Sequence, residues 1–240
     1  MKFSWYLLAF TLFIHFLLSA RVNADGIVVD KVYHPYVLPN EREFEWRFIS
    51  HQKDSDNKGY NALAQRFAYG QSISESIMLE GYLVGERDEF GDFSLSAYEI
   101  EMRFMLTEQG QYWSDWGLLL EIEKAHKADN WEVTSGVLME KEFGRTSLTL
   151  NAFIIYEWGE SLSNEMEIEF RLKYRYRYTE QLQPAIELYS GEDYLGIGPA
   201  FMGVQRFNDQ KQLKWEAAFI TGLNRESKDH ILRVGIEYEF

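Results

Sequence analysis

The side chains with the most chemistry in this sequence are charges set at every second position. Between 165 and 178, Glu165, Glu167, Glu169, Arg171, Lys173, Arg175 and Arg177 alternate with Met166, Ile168, Phe170, Leu172, Tyr174, Tyr176 and Tyr178. Glu43, Glu45 and Arg47 alternate with Phe44, Trp46 and Phe48, and Glu99, Glu101 and Arg103 with Tyr98, Ile100, Met102 and Phe104. Glu121 and Glu123 lie among Leu118, Leu120 and Ile122. Arg233, Glu237 and Glu239 lie among Leu232, Val234, Ile236, Tyr238 and Phe240. Acids and bases sharing one face can pair across neighbouring strands, which fills and stiffens an interior. They can also offer a polar path to a small solute, the Glu excess then favouring a cation over an anion. Pairing is the simpler use. A small enclosed interior has little spare room once its side chains are in place, and a charge left alone there is costly.

Catalytic chemistry finds little support. There is no cysteine, hence no disulfide, thiolate ligand or cysteine nucleophile. No H-E-x-x-H spacing, G-x-S-x-G elbow, P-loop or dinucleotide fingerprint occurs. Neither a metal nor a cofactor is expected. His51, His126 and His230 fall in or beside polar connections, and His34 falls near the N-terminus. Three such histidines could gather a soft metal ion, but solvated loop side chains explain them more simply. The formal charge of -14 excludes nucleic acid as a partner, because a phosphate backbone calls for a basic face.

Only a strand puts alternate residues on opposite faces; a helix would spread them around its circumference. About twelve alternating segments follow one another. They run 41–51, 60–70, 73–86, 92–106, 113–124, 130–143, 146–158, 164–178, 181–190, 193–206, 211–223 and 229–240. Each can cross a bilayer, which takes about nine to eleven tilted residues. The predicted fold is an all-β, antiparallel, up-and-down transmembrane barrel occupying 41–240. Connections after odd segments are polar and mostly longer (51–59, 86–92, 124–130, 159–164, 224–229). Those after even segments are mostly tight (70–72, 143–145, 179–180, 207–210). Transmembrane barrels have short turns at one end and longer loops at the other. Two connections go against this: 107–112 is long for a turn and 190–193 short for a loop.

The N-terminus reads as a leader. Lys2 is followed by an apolar run from Trp5 to Leu18, then Arg21-Val22-Asn23-Ala24, which suits cleavage after Ala24. Loss of Lys2 and Arg21 makes the mature chain more acidic still. After residue 24 no apolar run is long enough for a membrane helix. Residues 25–40 stand apart from the alternating segments. Pro35 and Pro39 rule out a central strand, so this stretch is an extended periplasmic segment. It could tuck into a barrel mouth, but a plain tether is the simpler expectation.

Aromatic residues gather toward segment ends: Tyr69, Trp113, Trp116, Trp131, Tyr156, Trp158, Tyr189 and Tyr194. Such rings suit a bilayer interface. The last segment, with Leu232, Val234, Ile236, Tyr238 and terminal Phe240 at alternate positions, resembles the assembly signal of bacterial outer-membrane β-barrels. The resemblance rests on pattern over about the last ten residues. It implies insertion into the outer membrane by the barrel-assembly machinery, with lipid around the wall and the charged face inside. The function it implies is non-enzymatic: a structural wall protein, or a narrow pore for a small polar or cationic solute. One alternative is an outer-membrane lipid hydrolase of the Ser–His kind, for which His230 with Ser227 is the nearest candidate, without a family motif around it. Another is a soluble periplasmic β-barrel that carries a ligand.

Overall fold

The computed structural model describes residues 28–52, 62–87, 91–160, 162, 164–192, 194–207, 211–224, 227 and 230–240. The predicted leader, 1–24, lies outside the described residues. Alternation of apolar and polar side chains gives each segment one face for an interior and one for an apolar surround, and the chain satisfies both by closing on itself. The strands are β1 (Arg42–Gln52), β2 (Ala62–Ser72), β3 (Ile77–Arg87), β4 (Phe93–Met105), β5 (Asp115–Ala125), β6 (Asn130–Phe143), β7 (Thr146–Gly159), β8 (Glu165–Tyr176), β9 (Gln183–Ser190), β10 (Leu195–Arg206), β11 (Gln212–Gly222) and β12 (His230–Glu239). Each pairs antiparallel with its sequence neighbours, and β12 pairs with β1 from Glu43↔Glu239 to Gln52↔His230, closing a twelve-stranded barrel. Closure leaves no strand edge with unpaired N–H and C=O groups, which a bilayer could not hydrate.

Observed strands match the predicted segments to within a few residues. The largest difference is β3, which begins at Ile77 and not at 73. The turn falls four residues later than the sequence suggests, because Ile73 and Ser74 donate their N–H groups to the Ile77 carbonyl. An exposed Ile73 looks like a strand residue in sequence but stands in a turn.

Both ends of the barrel chain meet at one rim, here called the terminal end; the connections after even strands share it. The 106–114 connection is the long one there. Its chain folds back, with Gly110 (φ 75°) donating to Asp115 and Leu106 donating to the Trp116 carbonyl.

Outside, the wall is a band of exposed apolar side chains that includes Ile100, Leu120, Ile122, Ile154 and Phe170. Trp131, Trp158 and Tyr156 stack at the far rim. Phe44, Tyr69, Tyr238 and Phe240 form a second aromatic group over β2, β1 and β12 at the terminal end. Two of the expected interface rings are placed otherwise. Tyr189 and Tyr194 are buried inside. Tyr189 shares its parity in β9 with Glu187, which points inward, so its nearness to a strand end says nothing about which face it takes.

Candidate functional site

The interior is where the charged face goes. Glu43, Glu45, Arg47, Glu99, Glu101, Arg103, Glu167, Glu169, Arg171, Lys173 and Arg233 are buried there. Glu121, Glu123, Glu165, Arg175, Arg177 and Glu237 share the same inward parity and are half-buried. Many of these charges pair. Arg47 reaches both Asp30 and Glu45 at 2.6 Å. Arg66 meets Glu99 at 2.6 Å, Arg103 meets Glu80 at 3.4 Å, and Arg233 meets Glu187 at 2.8 Å and also Glu216. Glu80, Glu187, Glu216 and Arg66 have the same inward parity, but they sit in strands whose alternation is broken by Gly and Ala, so the sequence pattern passes over them.

The lumen is not charged throughout. Inward positions of β9 to β12 include Ala185, Ala200, Ala218, Ile220 and Ile231, which with Ile49 and Ala64 form an apolar pocket. What fills it is the N-terminal segment. Residues 28–37 run through the lumen as extended chain, with Val28, Val29 and Val32 in that pocket and Tyr33 against Leu119, Leu138, Phe153 and Ile155. Of the two courses open to this segment, the structure takes the one inside the barrel and not that of a tether.

An extended chain with no partner strand has backbone groups to satisfy in a desolvated interior. Wall side chains meet that need. Asn151 accepts from the Tyr33 N–H at 2.8 Å and donates to the Tyr33 carbonyl at 2.9 Å, imitating a strand neighbour. Tyr189 donates to the Asp30 carbonyl, Arg171 to that of Lys31 and Lys173 to that of Val32, at 2.8, 3.0 and 3.1 Å. The segment's own side chains also bind the wall. Asp30 pairs with Arg47, Lys31 with Glu45 and Glu237, His34 with Glu140, and Tyr36 with Asp115. Backbone room comes from two glycines. A Cβ on Gly117 would lie 3.0 Å from Pro35 Cα, and one on Gly191 would lie 2.9 Å from the Val28 side chain.

Two cavities flank the segment. One, of about 380 Å³, opens toward the terminal end and is lined by Lys31, His34, Glu43, Lys173, Arg175 and Lys214 among others. A smaller one of about 80 Å³ lies on the other side, beside Arg66, Glu121, Glu132 and Glu169. Toward the far rim, Glu99, Glu123, Glu132, Glu157 and Glu165 occupy directly paired positions on five successive strands, β4 to β8. In the connection after β5, hydrogen bonds from Lys124 and Trp131 hold the Asp129 carboxyl below its ordinary pKa.

The twelve-stranded fold has counterparts among solved structures. The fold is similar to that of the KdgM porin in complex with disordered oligogalacturonate, with a TM-score of 0.55 over 82% of this chain and 99% of that chain at 10% identity. It is also similar to an outer-membrane channel from Pseudomonas putida F1, with a TM-score of 0.59 over 88% of this chain and 98% of that one at 12% identity. The fold is that of bacterial outer-membrane β-barrel proteins. At these identities the likeness is one of fold. No protein-family model matches the chain, and no curated protein matches it.

The Ser–His alternative finds no support in the described geometry. Ser227 Oγ is engaged by the Leu195 backbone and Asn224, which fastens the connection between β11 and β12. His230 stacks on Phe219 with ring centroids 5.3 Å apart.

Proposed function

We propose that this protein is an outer-membrane barrel that forms a narrow, non-enzymatic, solute-selective path, held closed by its own N-terminal segment. The observation that carries this reading is the lumen itself: a charged wall around an extended chain that wall side chains grip by its backbone. A purely structural barrel could fill its interior with side chains alone; a backbone segment lying there is removable in principle. The exposed apolar band is costly in water and suits lipid, which argues against a soluble ligand carrier. Residues 1–24 act as the cleaved leader, and the Leu232-to-Phe240 strand acts as the signal read by the barrel-assembly machinery. The Glu row toward the far rim favours a small neutral or cationic solute. The porin noted above is named with an acidic sugar chain, a ligand whose charge this rim would repel.

Planar-bilayer recording tests the reading. The full-length protein should conduct little, and a chain lacking residues 26–37 should conduct more and prefer cations. Heat-modifiable gel migration establishes that the shortened chain is a folded barrel. A folded, inserted, shortened barrel that stays silent or prefers anions would sink the proposal.

A further inference from the structure

Among the described residues, three groups of inward carboxylates lie close enough for one ion to touch all members of a group. Two of them are answered from within the protein. The group Glu41, Glu43, Glu237 and Glu239 is served by Lys31 and Lys214, and the group Glu43, Glu45 and Glu80 by Lys31, Arg47 and Arg103. The third, Glu99, Glu101 and Glu121, is different.

Glu101 and Glu121 are directly opposed on β4 and β5, and Glu99 is the next inward residue of β4. One carboxylate oxygen from each lies within 4.8 Å of the others. Glu101 is fully buried, at 0% exposure, and neither of its carboxylate oxygens has a hydrogen-bond partner. One oxygen of Glu99 is likewise unpartnered, the other being held by Arg66 at 2.6 Å. Among the described residues no ion pair reaches Glu101 or Glu121.

Like charges placed directly opposite across two strands repel, and a buried carboxylate with no partner is among the costliest groups a fold can hold. A positive ion between them removes both penalties. Arg66 balances Glu99; Arg47 and Arg103 act on Glu101 only through space, being paired already with Asp30, Glu45 and Glu80, so Glu101 and Glu121 are left with two negative charges for a divalent cation to meet. The donors are all carboxylate oxygens, without His or Cys, which selects a hard ion. Calcium takes about six to eight oxygens in flexible geometry, often two from one carboxylate, whereas magnesium keeps several waters. A wall position with a fully buried central ligand fits the first. We infer that Glu99, Glu101 and Glu121 bind one calcium ion in the barrel wall, bridging β4 and β5 beneath the N-terminal segment. This does not depend on whether the lumen conducts.

The test uses the full barrel in detergent, stripped with a chelator and titrated with calcium and with magnesium by calorimetry. The expected result is one calcium site per chain, with weaker binding of magnesium. Glu101→Gln should weaken calcium binding about tenfold or more, since affinity in such sites follows ligand charge. Glu142→Gln, at the terminal end and paired with Arg177, should leave it unchanged. Chelation should lower the temperature at which the folded gel band disappears in the wild type and have no effect on the Glu101→Gln barrel. If that variant does not fold, the half-buried Glu121→Gln serves in its place. Absence of saturable calcium binding by the wild type would overturn the site and leave a shared proton as the resolution of the cluster. Binding that survives both substitutions would overturn it as well.

Discussion

Asn151 shows how much one side chain does here. Its amide gives Tyr33 both an acceptor and a donor, so a strandless backbone in the lumen is hydrogen-bonded as though a neighbour strand were present. Leucine at this position has similar bulk and neither group. Asn151→Leu leaves a buried N–H and a buried C=O unmet, each costing about 1–3 kcal/mol. That cost falls on the seating of the segment and not on the barrel, whose ladder is untouched. Trypsin reads it at Lys31, inside the gripped stretch. Cleavage there should be slow in the native protein and at least about tenfold faster in the variant, since 1.4 kcal/mol corresponds to a factor of ten. Equal rates would mean that Asn151 does not hold the segment.

At the scale of elements, β12 closes the barrel against β1, and Phe240 finishes that seam. Its N–H donates to the Arg42 carbonyl at 2.9 Å, and its ring stacks with Phe44 and Tyr238. Leu232, Ile236 and Phe240 face outward and exposed, with Val234 and Tyr238 half-buried on the same face. Deleting Phe240 removes one ring and one hydrogen bond from a seam many residues long, so the finished barrel should keep its stability when refolded from urea into detergent. The same deletion should sharply reduce the amount of folded, heat-modifiable barrel recovered from cell envelopes, if the strand end is what the assembly machinery reads. A reduction in both settings would make Phe240 a packing residue and nothing more.

For the whole molecule, the outward apolar band requires a surround without water. Ile100 projects from the middle of β4 and is 61% exposed. Replacing it by arginine should cost about 2–4 kcal/mol in a bilayer, against about 0–1 kcal/mol for Tyr178→Arg near the rim. Urea unfolding of vesicle-embedded barrels measures both. Equal and negligible costs would show that the band does not face lipid.

Strand number, parity and extent were legible because each side chain in a barrel wall answers only to its own face, and two-residue alternation records that choice directly. The run from Glu165 to Tyr178 and the terminal Leu232-to-Phe240 run state it without ambiguity. Strands β9 to β12 were legible as strands, but the uncharged Ala185, Ala200, Ala218, Ile220 and Ile231 among their inner positions do not stand out in sequence, so the apolar pocket they build was not legible. The alternation also could not say which carboxylates meet. Glu101 and Glu121 lie twenty residues apart in sequence and face each other only through the β4–β5 register. Least legible was the course of residues 28–37: Pro35 and Pro39 excluded a wall strand, and of the tether and the plug that remained the local sequence favoured the tether, which the structure does not take. Local physics determined an acidic, aromatic-banded wall of alternating strands. Only closure of the barrel decided that this wall encloses its own N-terminal segment, because the groups that grip it (Asn151, Arg171, Lys173 and Tyr189) come together from three strands and act on one backbone.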